Sequence, residues 1–153
     1  MQKANIDKAM LDRMRQVCSK SEKCTRDIAE KLKKLDYEGD AESLIETLVV
    51  EGFINETRYA QSVVNDKLKF SRWGKAKIRY FLKGKGINSY AIDDALNTVS
   101  EPDYEMIIQK ELEKKLRTLK ETDKTRRKQK LLAFAMQRGY SPEIVYRILN
   151  DIG

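Results

Sequence analysis

The sequence predicts an all-α fold, an elongated tandem repeat of three three-helix modules. Three observations carry that prediction. Only 7 glycines and 2 prolines occur in 153 residues, so long stretches meet nothing that interrupts a helical hydrogen-bond ladder. Apolar residues recur at spacings of three and four, and β-branched alternation is scarce, which is the helical period and not that of a strand. A pattern also repeats: TRDIAEKLKKLDY, KAKIRYFLKGKGI and KQKLLAFAMQRGY align at offsets of 50 and 53 residues, matching Ile28 with Ile78 and Leu131, and Leu32 with Leu82 and Ala135.

The first module is expected over residues 1–52. Its opening helix begins near Asp7 and turns Met10, Leu11, Met14 and Val17 inward, the aligned segment supplies its second helix, and Leu44, Ile45, Leu48 and Val49 close it. The aligned segments end at Asp36, Gly86 and Gly139, where a left-handed residue would stop a helix. Aspartate tolerates that conformation better than most side chains. An apolar residue follows each stop: Tyr37, Ile87 and Tyr140.

The second module, 53–100, has the clearest pattern. Asn55 is placed to cap a helix carrying Tyr59, Ala60, Val63, Val64 and Leu68 on one stripe. The next helix spans about Gly74 to Lys85 with Ile78, Phe81 and Leu82 to one side, and the last, about 89 to 99, uses Ile92, Ala95, Leu96 and Val99. In the third module, 101–153, Pro102 and Pro142 suit first-turn positions, Ser141 suits an N-cap, and Ile144, Val145, Ile148 and Leu149 form a buried stripe. Units this small have little interior of their own. Neighbouring modules are therefore expected to pack end to end.

Charge follows the same division. The chain carries a net +7, distributed in blocks of alternating sign: positive over 1–35, 66–86 and 110–130, negative over 36–58 and 87–105. Such an excess favours a polyanionic partner or an acidic protein surface. The absence of histidine removes Ser-His, Cys-His and most zinc-dependent chemistry. Cys18 and Cys24, spaced C-x5-C, match no common metal site and are expected to be reduced structural thiols. There is no phosphate-binding glycine loop, no apolar stretch long enough to span a membrane and no secretory apolar core. These exclusions lead to the expectation of a cytoplasmic, non-enzymatic, monomeric binding protein with no cofactor and no metal.

The candidate binding residues fall in two groups. The first is Lys67, Lys69, Arg72, Lys75, Lys77, Arg79 and Lys83, running on to Lys85 with Phe70 and Trp73 interleaved, a density beyond what solubility requires. Within it Lys75, Arg79 and Lys83 follow i, i+4 spacing and should share one exposed face. The second is Arg126, Arg127, Lys128 and Lys130, crowded around one turn so that all cannot point inward. Either group could meet acidic protein surface, phosphates or both. A lone tryptophan before a glycine is expected to fill a helix joint, so Trp73 is read as packing. Arg58 and Tyr59 are read as internal architecture. Asp93 and Asp94, diverging by roughly 100° on a helix, cannot easily share one metal ion.

The segment from Gly52 to Leu96 resembles the central module of the RecX family of regulatory proteins. The resemblance lies in the Gly52 turn, Thr57-Arg58-Tyr59-Ala60, Gly74 before Lys77-Ile78, Leu82 followed by Lys85-Gly86-Ile87, and the closing Ala95-Leu96. The chain departs from the family's pattern in having Asn55 and Glu56 ahead of the Arg-Tyr-Ala segment, and in lacking a glycine stop at Asp36. The resemblance is strongest here, weaker over the first repeat and weakest over the third. It implies three repeats of three helices lying along the groove of a RecA filament on single-stranded DNA, with or without direct DNA contact. It further implies restraint of RecA's ATPase, coprotease and strand-exchange activities. A general DNA-binding protein that competes for DNA is the second expectation the basic helices permit.

Overall fold

The computed structural model describes residues 6–152, and no strand occurs among them. Helices α1 (Lys8–Lys20), α2 (Thr25–Lys34) and α3 (Ala41–Val50) form the first set. The second set is α4 (Glu56–Asp66), continued by a π-helical turn over Lys67–Ser71, then α5 (Lys75–Gly84) and α6 (Ser89–Asn97). The third is α7 (Glu101–Thr118), α8 (Lys124–Arg138) and α9 (Pro142–Ile152). The chain is thus a repeat of three-helix modules.

Local chemistry explains where the helices start. Asp7, Asp40, Asn55, Asn88, Ser100 and Asp123 each accept a hydrogen bond from a backbone N–H of the first turn they precede, satisfying donors that have no partner inside the helix. The Asn55 cap is as expected, and Pro102 lies in the first turn of α7 with Ser100 as its cap.

The stops are repeated to the level of single hydrogen bonds. Asp36, Gly86 and Gly139 all have positive φ, at 52°, 79° and 82°. The residue after each donates its N–H back to the helix: Tyr37 to Leu32 at 3.0 Å, Ile87 to Leu82 at 3.1 Å, Tyr140 to Ala135 at 3.1 Å. Asp36 therefore performs the turn that glycine performs in the other two modules.

The aligned positions are core positions: Ile28, Ile78, Leu131, Leu32, Leu82 and Ala135 are all buried. The inward stripes expected of α1, α4, α6 and α9 are buried or half-buried throughout. Val49 differs. It is 46% exposed, because Leu44, Ile45 and Leu48 already occupy the core face of α3.

Neighbouring modules pack on one another, but unequally. The second and third modules share one continuous core in which Ile78, Leu82, Ile92, Tyr104, Ile108, Leu112, Leu131 and Tyr140 meet. The first keeps a separate core around Met14, Ile28, Leu32, Leu44 and Leu48. The reason lies at Gly74 and Gly139, where two backbones touch directly. The Gly74 N–H donates to the Arg138 carbonyl at 2.5 Å and the Ala76 N–H to the Gly139 carbonyl at 3.2 Å. A Cβ at Gly74 would collide with the Gly139 carbonyl. Against the first module the second offers mainly polar links: Arg58 with Glu22 at 2.6 Å, Lys85 with Asp27 at 2.7 Å, and Arg26 with the Gly84 carbonyl. Cys24 is the apolar exception, buried in the larger core. Both Cys18 and Cys24 are free thiols, as expected.

Candidate basic binding surface

The first basic group is built around a backbone irregularity. The apolar stripe predicts that α4 runs unbroken through Leu68, but Lys67–Ser71 widens into a π-turn that ends at Arg72 in the left-handed conformation, φ 58°. The Trp73 N–H donates to the Lys67 carbonyl at 2.9 Å, which closes the turn. The Arg72 carbonyl is held from the third module, accepting from the Tyr140 hydroxyl at 2.5 Å and the Arg138 guanidinium at 3.3 Å. A π-turn and a left-handed arginine both cost energy and tend to persist where a site needs them. Here they swing Trp73 back over Lys67 and aim Gly74 at α8.

Trp73 packs edge-on against Phe81, centroids 5.8 Å apart at 70°. Both rings are partly buried against the core, so the packing role expected of Trp73 holds. Cations gather over these rings. Lys67 Nζ lies 4.4 Å from the Trp73 centroid and 5.2 Å from that of Phe81, and Lys77 Nζ lies 4.5 Å from Trp73. Lys85 Nζ is 5.7 Å from Phe81 but is also bonded to Asp27. That contact raises the Lys85 pKa. Asp27 is opposed by its own burial, yet hydrogen bonds from Lys85 and from the Cys24 N–H hold its carboxyl below the ordinary value. Burial pushes the neighbouring Cys24 thiol and Tyr59 phenol upward.

The face expected to unite Lys75, Arg79 and Lys83 is divided. Lys75 is half-buried with its ammonium 4.9 Å from the Tyr104 centroid, and its N–H donates to the Tyr104 hydroxyl at 2.9 Å. Arg79 is paired with Asp93 at 2.5 Å. Lys83 is exposed, like Lys69 and Arg72. Helical spacing places the three on one side, but α6 and α7 supply partners to two of them. Asp93 is accordingly an ion-pair partner, and Arg58 and Tyr59 join modules: Tyr59 is buried, and Arg58 reaches Glu22 and the Gly52 carbonyl.

The second group begins α8. Arg126, Lys128 and Lys130 are exposed and Arg127 half-buried. Lys130 reaches Glu121 at 3.2 Å and Lys128 reaches Asn150 at 3.4 Å. The structure does not join the two groups. The start of α5 abuts the C-terminal end of α8 through Gly139, whereas Arg126 lies about 20 Å back along the helix axis at 1.5 Å per residue.

Helix stability does not explain the cations that open α5 and α8. The first turns of α5 and α8 contain cations and no acidic residue, although the N-terminal end of a helix favours negative charge. Two residues have no place among the sequence-predicted contacts. Arg26 belongs to another module, and only the tertiary fold brings it to α5. Tyr80 lies off the apolar stripe and is 82% exposed. Its one sequence signal is an aromatic residue on the polar side of an amphipathic helix.

Fold and surface together define a tandem three-helix-repeat protein with two separate basic faces. Residues 55–96 match the family model described as RecX, second three-helix domain, and residues 103–149 match RecX, third three-helix domain. The regulatory protein RecX of Clostridium tetani is 35% identical over 136 residues, covering 87% of this chain and 62% of the relative. That of Clostridium acetobutylicum is 32% identical over 138 residues, covering 87% and 64%. A crystal structure of regulatory protein RecX superposes with a TM-score of 0.83 at 26% identity, over 99% of this chain and 82% of that one. RecX from Lactobacillus salivarius, at 21% identity and a TM-score of 0.75, shares the fold over 92% of this chain and 95% of its own. The chain belongs to the RecX family. It spans a little over three fifths of the length of the two clostridial relatives.

Proposed function

We propose that this chain is a negative regulator of the RecA recombinase, binding as a monomer along the RecA filament on single-stranded DNA in the cytoplasm. Membership of a family whose relatives are named regulatory proteins is the observation that supports this reading. The proposed contacts are Lys67, Lys69, Arg72, Lys75, Lys77, Arg79 and Lys83 on one face and Arg126, Arg127, Lys128 and Lys130 on the other. Two separate cationic faces suit a partner that repeats along an axis better than one compact ligand. Regulation then needs no catalytic group: binding one filament state more tightly than another shifts the balance between them. The ATPase, coprotease and strand-exchange activities of RecA are the ones the family resemblance implies this chain would restrain.

The test is the single-stranded-DNA-dependent ATPase rate of preformed RecA filaments, titrated with this protein at substoichiometric ratios beside its binding to bare DNA. Inhibition well below DNA-saturating amounts is expected. Inhibition only once the DNA is coated would replace this reading with simple competition for DNA, and no effect would refute both.

A further inference from the structure

The joint between the first and second modules is built unlike the joint between the second and third. Ile54 is buried in the first module's core and α4 begins at Glu56, so Asn55 alone carries the chain from one body to the other. We infer that this joint is a hinge held shut by an ion-pair latch. Residues 6–54 pivot as one body against residues 56–152, and the pairs of Arg58 with Glu22 and Lys85 with Asp27 close it. The inference goes beyond the function proposed above and does not rest on RecA being the partner.

Four observations carry it. The contacts across the joint are mainly polar: Arg58 with Glu22 at 2.6 Å, Lys85 with Asp27 at 2.7 Å, and Arg26 with the Gly84 carbonyl. Among the described buried apolar residues of the first module, Cys24 alone enters the larger core. Two open cavities undercut the joint, about 480 Å³ between α2 and α4 and about 460 Å³ between α2 and α5, both bordered by Glu30 and Lys85. Finally, Glu22 Oε2 is buried with no hydrogen-bond partner among the described residues. The closed joint thus leaves a carboxylate oxygen short of a donor that water would supply on opening.

Bodies joined by a small polar interface move relative to one another, and a large apolar interface prevents it. By that measure the shared core and the backbone contact at Gly74 and Gly139 make the second and third modules one body. The first module is the part free to turn, and the cavities give α2 room before it meets α4 or α5. Solvent reaches all four latch side chains, which are 18% to 49% exposed, so salt weakens both pairs. Both basic groups lie on the fused body. Pivoting therefore keeps their spacing and changes only where the first module sits, which lets the chain follow partner surfaces of different curvature.

The test is double electron–electron resonance on the full chain, with spin labels carried by a genetically encoded keto amino acid so that Cys18 and Cys24 stay untouched. One label pair at the exposed positions Glu46 and Gln137 spans the joint, and a second at Tyr90 and Gln137, also both exposed, lies within the fused body. Both distances are read between about 0.01 M and about 1 M KCl, over which the screening length falls from about 30 Å to about 3 Å. With rising salt the spanning distance should shift or broaden by about 3 Å or more, the room that a water needs between separated partners, while the internal distance holds. Glu22→Gln combined with Asp27→Asn should give the open distribution already at low salt; the asparagine keeps an oxygen for the Cys24 N–H at the start of α2. A spanning distance that the double variant leaves unchanged, or an internal distance that broadens as much as the spanning one, would overturn the hinge. Should the double variant lose helicity, the salt series of the parent decides by the same two distances, and a spanning distance fixed across it refutes the latch.

Discussion

Replacing Gly74 with alanine should unlock the joint between the second and third modules. The Cβ would fall 2.1 Å from the Gly139 carbonyl oxygen and 2.4 Å from the Tyr140 nitrogen, far inside van der Waals contact. No side-chain rotation relieves a clash between two main chains, so the helices must separate. Separation breaks the bonds from Gly74 N–H to Arg138 and from Ala76 N–H to Gly139, each contributing about 0.5–1.5 kcal/mol. Overpacking adds about 1–3 kcal/mol. The combined loss is about 2–6 kcal/mol, which at about 2–4 °C per kcal/mol for a chain of this size lowers Tm by at least about 4 °C. Gly84→Ala is the control. It lies at the end of α5 with nothing within 4 Å of its would-be Cβ, so it should raise stability by about 0.5 kcal/mol through the unfolded chain. Thermal melts followed by circular dichroism at 222 nm measure both. A Gly74→Ala melt within about 1 °C of the parent, about a quarter of the smallest expected shift, would refute the argument that direct backbone contact fuses the modules.

Arg72→Gly should stabilise the protein by about 1 kcal/mol, because glycine adopts the left-handed conformation without the clash that arginine suffers; chemical denaturation checks it, and filament affinity should fall in the same variant. The Tyr140 phenol is pushed by burial to about 12 from an ordinary 10. Because the folded state holds this proton more tightly, its contribution is fully present below pH 10 and is lost as pH rises toward 12. Absorbance at 295 nm should show Tyr140 ionising late, with unfolding, and early titration of every phenol would contradict this. The Asp27–Lys85 pair, less than a third exposed on both sides, should show a coupling of about 1 kcal/mol in a double-mutant cycle of Asp27→Asn and Lys85→Gln. Additive effects would mean that the pair does not fasten the first module to the second.

Much of this architecture is written in one dimension. A helical stop needs only a residue that tolerates positive φ and an apolar residue after it, so Asp36-Tyr37, Gly86-Ile87 and Gly139-Tyr140 mark three equivalent turns in the sequence alone. Buried stripes such as Ile144, Val145, Ile148 and Leu149 are legible because helical periodicity is a local property. Density of charge locates the basic groups for the same reason.

What spacing along one helix cannot encode is what stands opposite it. Lys75, Arg79 and Lys83 share a side, but Tyr104 and Asp93, from α7 and α6, decide that two of them are engaged and one is open. Arg26 reaches Gly84 across 58 residues of sequence. The π-turn at Lys67–Ser71 is equally a tertiary outcome, since the Arg72 carbonyl that ends it is held by Tyr140 and Arg138 from the third module. The sequence by itself determined the helices, their stops and most of their inward faces, because hydrogen bonds within a turn and the 3.6-residue period need no distant partner. Only the tertiary structure decided that two modules fuse while the first keeps its own core, and which cations remain free, because those outcomes depend on backbones and charges that meet only after the helices pack.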